Sequence, residues 1–184
     1  VFGAQLEALS YASSYIPTSG GTATRAGELC FGSGNANDFN STEGVLFAEI
    51  AALSNVDGIG SRVIAISDGT ISNRVIIYFD NTSNRLVYLA NVGGITQATG
   101  NFLLTNSANF NKIAFKWKLN DYAVWVNGVE KAADVTALSF PPNVLSELAF
   151  DNGIAAAPFY GKTSQMQVFK TALSDSELQT LTTL

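Results

Sequence analysis

The most regular stretch of the chain, Phe110 to Val129, ends in Asn127-Gly128 and limits what the rest can fold into. Apolar residues alternate at Ile113, Phe115, Trp117 and Leu119, with Lys112, Lys116 and Lys118 between them. That period of two marks a half-buried β-strand. Asn120-Asp121 interrupts the run, and a second alternation follows at Tyr122, Val124 and Val126. Asn-Gly is the dipeptide that best tolerates the two positive φ values of a type I′ turn. Two hairpins in succession are therefore expected. With Asn120-Asp121 as a two-residue loop, Leu119 and Tyr122 share a face, and Trp117 joins the core set. Trp125 then points the other way, beside Lys116, Lys118 and Ala123. One tryptophan reads as core and the other as a candidate for touching something.

The same punctuation runs along the chain. Strands are predicted over Thr24–Phe31, Glu43–Ala52, Ser61–Ser67, Arg74–Phe79, Arg85–Asn91, Ile95–Leu104, Leu145–Asp151 and Phe159–Lys170, separated by turns rich in Gly, Asn and Asp. Short strands at this spacing predict an all-β fold, a two-sheet antiparallel β-sandwich or jelly roll. Only the end reads as helix. Ser174-Asp175-Ser176-Glu177 is a capping box, followed by an apolar stripe at Leu178 and Leu181. This short C-terminal helix is expected to plug one end of the sandwich. Residues 1–22, with Thr18-Ser19-Gly20-Gly21-Thr22 as a turn-rich spacer, read as a linker or the end of a preceding module, and residues 23–184 as the β-sandwich domain.

Composition removes several functions. Charged residues are 14% of the 184, and the formal charge is −5. No basic patch is available to release counterions from nucleic acid, so none is an expected partner. No apolar run reaches the length of a membrane helix, so membrane insertion is not expected. Residues 1–22 have neither the basic stretch nor the apolar core of a signal peptide. Histidine is absent and Cys30 is the single cysteine. This excludes an internal disulfide, a Cys/His zinc site and His-dependent nucleophilic triads. In the apolar run Glu28-Leu29-Cys30-Phe31, Cys30 reads as a small buried thiol.

Two segments carry a family resemblance. One is the hairpin Tyr122-Ala123-Val124-Trp125-Val126-Asn127-Gly128-Val129. The other is Tyr160-Gly161-Lys162 through Val168-Phe169-Lys170-Thr171-Ala172-Leu173-Ser174-Asp175-Ser176-Glu177-Leu178. Together they resemble the concanavalin A-like lectin/glucanase superfamily, in its laminin-G-like or pentraxin-like branch, over roughly residues 23 to 184. The leading Gly3-Ala4-Gln5-Leu6-Glu7 and Ser13 to Gly20 are similar to a phrase of bacteriophage tail proteins. The resemblance implies a receptor-facing domain of a tail fibre or other surface appendage. It places that domain on the virion or an extracellular surface, with a cell-surface glycan as ligand. Other virion subunits or a homo-oligomer, a trimer among the choices, are the implied protein partners. A purely structural decoration domain and a polysaccharide-degrading enzyme are the alternatives.

A glycan site needs an aromatic platform for the apolar face of a sugar, with amides and carboxylates for its hydroxyls, so recognition is expected through shape, stacking and amide hydrogen bonds rather than through charge. Trp125 is the leading candidate, with Tyr78, Tyr88 and Tyr160 behind it and Lys116 and Lys118 alongside Trp125. The competing reading is that a loop or a partner subunit covers Trp125. Loop carboxylates and amides offer calcium candidates at Asp80 with Asn81 and Asn84, Asp151 with Asn152, Asp57, Asp68 and Asp121. Each also serves as an ordinary turn residue, and none makes the dense spacing of a calcium loop. The Glu-x-Asp-x-Glu pattern of the superfamily's glucanases is missing. Glu43 and Glu49 would stand roughly 20 Å apart on an extended strand, too far to act as a hydrolytic pair.

Overall fold

A computed structural model describes residues 15, 17, 20, 21, 32–55 and 62–184. The predicted strand Thr24–Phe31, the Cys30 environment, nearly all of the 1–22 spacer and Asp57 lie outside the described residues. Among the described residues, ten strands and one helix follow one another: β1 (Glu43–Ala52), β2 (Arg62–Ser67), β3 (Arg74–Phe79), β4 (Arg85–Val92), β5 (Ile95–Leu103), β6 (Asn111–Lys118), β7 (Tyr122–Val126), β8 (Val129–Asp134), β9 (Glu147–Ala149), β10 (Gly161–Phe169) and α1 (Asp175–Thr182). They form two five-stranded antiparallel sheets, ordered β10-β1-β6-β7-β8 and β5-β4-β3-β2-β9. The expected all-β sandwich is thus the observed architecture. No helix among the described residues is long and apolar enough to cross a membrane.

Alternation assigns the faces. In the first sheet Leu46, Ala48 and Ile50 of β1 join Ile113, Phe115 and Trp117 of β6 and Tyr122, Val124 and Val126 of β7 in the core. The second sheet adds Ile64, Ile66, Val75, Ile77, Phe79 and Leu86. Trp117 is fully buried and donates its indole N–H to the Ser41 carbonyl at 3.1 Å, which removes the penalty of burying that donor. Its ring lies across Gly44, where a Cβ would collide with it. Phe79 is capped by the Arg62 guanidinium 5.5 Å above its ring, and Arg62 donates to the Asp80 carbonyl at 3.1 Å.

The double hairpin forms with one correction. Asn127 and Gly128 have φ of 50° and 79°, as a type I′ turn requires. The Asn127 carboxamide also accepts the Lys112 amide at 2.9 Å, tying the turn to β6. The other loop is Leu119-Asn120, not Asn120-Asp121. The Asp121 amide reaches the Lys118 carbonyl at 3.0 Å, and Asn120 takes the left-handed conformation with φ 57°. The pairing therefore slips by two residues, to Phe115↔Val124. A slip of two preserves every face whereas a slip of one would invert them, so Trp117 and Trp125 keep their opposite directions. Leu119, expected in the core, is instead 55% exposed at the turn. The strand predicted at Leu145–Asp151 shrinks to Glu147–Ala149, and β8 is the return strand of the second hairpin.

Helix α1 has the capping box read from sequence, with Ser174 accepting from the Glu177 amide and Glu177 reaching back to the Ser174 amide at 2.8 Å. Its position differs from expectation. It lies along the outer face of the first sheet, with Leu178, Leu173 and Leu181 on Val45, Phe47, Ala114, Ala123 and Trp125. The reason is that both faces of β1 and β7 are apolar. Val45 and Phe47 would otherwise expose a second apolar surface to water.

Candidate functional site

The leading platform candidate is closed off. Trp125 does point away from the sandwich core, but α1 covers it and leaves 7% of its surface accessible. Its indole N–H is buried without a hydrogen-bond partner among the described residues. A sugar cannot reach this ring while the helix is docked, so Trp125 is corrected from ligand platform to second core. Lys116 is no ligand group either. It is 4% exposed, and its ammonium pairs with Asp121 at 2.6 Å and with Asp175 of α1 at 3.4 Å. Lys118 pairs with Glu43 at 3.3 Å on the same sheet. Lys116 holds the turn and the helix, while Lys118 ties β6 to Glu43 of β1, which also accepts the Ala172 amide at 3.4 Å.

The outer face of the second sheet is different. Register places Tyr78 of β3 beside Val63 and Val87, and Val87 beside Asn101 of β5. One step along lie Ile76, Leu89 and Thr99, and beyond them Arg74 and Asn91. Val63, Ala65 and Ile76 form a small buried patch, with Tyr78, Leu89 and Ala157 packed against it. Ala157 belongs to the segment after β9, which lies over the β2 side of this face. Tyr78, Val87 and Leu89 stay half-buried, while Thr99 and Asn101 are exposed. The face therefore offers an aromatic ring and aliphatic side chains beside amides and hydroxyls.

Two arginines flank this strip. Arg85 donates its Nε to Asp80 at 2.6 Å and is neutralised there. Arg74 gives one N–H to the Asn152 carbonyl at 3.0 Å, has no carboxylate partner among the described residues, and keeps its Nε buried and without an acceptor. Burial lowers the Arg74 pKa, with Tyr78 opposing the shift, yet a guanidinium remains charged. The Tyr78 hydroxyl is pushed up by burial first and by Asp80 second, so it stays neutral. The site thus presents an uncompensated cation and a neutral phenol on one sheet face.

The remaining candidates are dispersed. Tyr88 faces the opposite side of the second sheet from Tyr78, packing edge-on to Phe115 with centroids 5.5 Å apart. It is a cavity wall, not a surface platform. Tyr160 is 57% exposed just before β10, apart from the strip. Asp80 is held by Arg85, and Asn81 is exposed beside it. Asp151 is buried and accepts its own turn's Gly153 amide at 2.6 Å, and Asn152 accepts the Ile154 amide at 3.2 Å. Asp68 accepts from Thr70 and Asn73. No three His, Cys, Asp or Glu side chains cluster as a metal site among the described residues. The calcium candidates are turn residues in this geometry.

Sequence reading found Tyr78 but missed Arg74, Val87, Leu89, Thr99 and Asn101. The strand alternation around Tyr78 was available to place Arg74 and Ile76 on its face. Asn101 was harder to place, because a β-bulge at Ala90/Asn91 shifts the register set by the Gly93-Gly94 turn.

No family model matches the chain, and no curated protein matches it. Solved structures do. The CBM40 module of a Ruminococcus gnavus IT-sialidase, bound to α2,3-sialyllactose, superposes with TM-score 0.63 at 20% identity, covering 84% of this chain and 94% of that one. A leech intramolecular trans-sialidase superposes with TM-score 0.58 at 23% identity, covering 77% of this chain but 23% of its own. A heptameric SAP-like pentraxin from Limulus polyphemus gives TM-score 0.59 at 10% identity, covering 83% of this chain and 74% of that one. At these identities the likeness is one of fold.

Proposed function

We propose that this domain is a non-catalytic glycan-binding module that takes an acidic sugar on the outer face of its second sheet. The observation that carries the reading is the β3 row of Arg74, Ile76 and Tyr78, with its uncompensated guanidinium at one end and its aromatic ring at the other. Tyr78, Val87 and Leu89 would take the apolar side of the ring. Asn91, Thr99 and Asn101 would bond hydroxyls, and Arg74 would pair with a carboxylate through a charge-assisted bond. The structural neighbours support the ligand class, since two structures of the R. gnavus CBM40 hold sialyllactose. A single shallow site of this kind binds weakly, and several copies on one support would raise the avidity.

Titration of the domain with 3′-sialyllactose and with lactose tests the reading. Saturable binding of the first, at least tenfold tighter than the second and lost in Arg74→Gln, is the expected result. Equal binding of both sugars would remove the acidic preference. No binding of any glycan, together with a stable trimer in light scattering, would favour the structural decoration role instead.

For the setting, we extend the proposal to display on a phage tail fibre or another surface appendage, supported by the phrase at residues 3–20 alone. Antibody labelling of intact particles checks this. Label confined to appendages agrees with it, and unlabelled particles overturn the setting without touching the glycan reading.

A further inference from the structure

Two asparagine–glycine pairs occur in the chain, Asn127-Gly128 and Asn152-Gly153. With no side chain on the glycine, its backbone nitrogen can reach the carboxamide carbon of the asparagine before it. The fold treats the two pairs differently. At the first, each reacting group is held by a neutral partner. Asn127 Nδ2 donates to Asn111 Oδ1 at 2.9 Å, and its Oδ1 accepts the Lys112 amide at 2.9 Å. The Gly128 amide donates to the Thr182 hydroxyl of α1 at 3.2 Å.

The second pair is arranged for reaction. Gly153 has φ 84°, and a Cβ there would meet Ser67 Oγ at 2.7 Å, so the turn requires glycine. Its amide donates to Oδ1 of the buried Asp151 at 2.6 Å, which puts a carboxylate on the nitrogen's own proton. The carbonyl of the same peptide unit, that of Asn152, accepts from the Arg74 guanidinium at 3.0 Å. The carboxylate takes the proton, and the guanidinium stabilises the negative charge that peptide resonance then shares with that oxygen. The Asn152 side chain supplies the rest. Its Oδ1 accepts the Ile154 amide at 3.2 Å and the Ala156 amide at 3.3 Å, two donors for the oxyanion that forms when its carbon is attacked. Its Nδ2 has no partner among the described residues, so nothing there retains it as a leaving group. Asn152 is half-buried and so within reach of water.

We propose that Asn152-Gly153 is a self-modifying site that converts Asn152 to isoaspartate and thereby silences Arg74. Asp151 takes the Gly153 proton, and the Gly153 nitrogen bonds to the Asn152 carboxamide carbon. The Cγ–Nδ2 bond breaks, and Nδ2 leaves as ammonia with that proton. Water then opens the cyclic succinimide at either carbonyl. Opening at the side-chain carbonyl gives aspartate. Opening at the main-chain carbonyl gives isoaspartate, in which the oxygen that accepts from Arg74 belongs to a free carboxylate. Arg74 then carries its own counterion, and an acidic sugar loses its partner. That consequence rests on the glycan reading of the β3 strip, whereas the modification does not.

The test is peptide mass spectrometry of the intact chain aged in warm neutral buffer, reading aspartate and isoaspartate at both pairs. Asn152 should convert at least tenfold faster than Asn127 in the folded chain, and the two should convert alike in denaturant. Asp151→Asn keeps an acceptor for the Gly153 amide but removes the base, and Arg74→Gln removes the cation from the Asn152 carbonyl. Each should slow Asn152 at least tenfold while Asn127 keeps its rate. If Asp151→Asn loosens the fold, seen as a faster Asn127, Arg74→Gln decides alone. Equal rates at the two pairs in the folded chain, or undiminished conversion of Asn152 in a folded variant, would overturn the site. The isoaspartate form, separated by ion exchange, should bind 3′-sialyllactose at least tenfold more weakly than fresh chain and lactose equally. Unchanged sialyllactose affinity would overturn the silencing. A fresh chain that binds neither sugar would overturn the glycan reading, while the mass spectra judge the modification by themselves.

Discussion

The outer faces of the two sheets began with similar residues and ended with opposite fates. On the first, Trp125, Phe47 and Val45 face outward, and α1 closes over them. On the second, Tyr78, Val87 and Leu89 face outward, and among the described residues the segment around Ala157 leans onto them. Direction in a strand does not determine exposure. What determines it is whether another part of the chain can lay an apolar stripe on that face. Leu173, Leu178 and Leu181 supply one for Trp125. The segment after β9 supplies a single Ala157 for the other sheet, so a half-open strip remains.

The largest effect that separates the faces is on stability. Trp125→Ala should cost about 3–5 kcal/mol, as large-to-small changes in well-packed sites do, and leave the affinity of the folded fraction for 3′-sialyllactose unchanged. Chemical denaturation with parallel titration checks both halves. A Trp125→Ala protein of full stability that had lost sugar binding would restore the ring as platform. Arg74→Gln should show the reverse. Its expected loss is about 1.5–3 kcal/mol of sialyllactose affinity, the range for a hydrogen bond to a charged group, with a much smaller stability change.

Much of this division was legible in residues, and part was not. Alternation in β6 and β7 places Trp117 inside and Trp125 outside, and Asn127-Gly128 fixes the turn. The capping box gives α1 its start at Ser174. The docking of α1 was not readable, since Leu178 and Leu181 show an apolar stripe without naming the surface that it meets. Nor was the bulge at Ala90/Asn91, which leaves no residue signature here and yet decides that Asn101 stands beside Val87. The lysines misled for a related reason. Lys116 alternates like a solvated residue, but its partner Asp175 is 59 residues away and arrives only with the helix.

That lysine offers a smaller test of the closed face. Lys116→Met replaces a buried cation by an apolar chain of similar length, and the carboxylates it leaves, Asp121 and Asp175, are exposed to water, so no buried charge is stranded. A shift in stability within about 1 kcal/mol of zero is expected, with sugar binding intact. A large loss of binding would return Lys116 to the ligand site.

The smallest effect concerns pH. The Ser174 hydroxyl, and then its amide, hold the Glu177 carboxyl below its usual range. A carboxylate with a lowered folded pKa stabilises above its unfolded value, near ~4.3, and loses that contribution as pH falls through the folded one. Acidification below about pH 4 should therefore loosen α1 and raise acrylamide quenching of Trp125. Glu177→Gln should remove this pH dependence, and an identical acid response in that variant would assign it to another group.

The most direct test of the two-face account follows both tryptophan indoles and the backbone amides by NMR while 3′-sialyllactose is added. The account predicts saturable shifts along Arg74–Tyr78, Val87–Asn91 and Thr99–Asn101, with the Trp125 and Trp117 indole signals unmoved. Shifts centred on Trp125 and α1, with the β3 row silent, would contradict it.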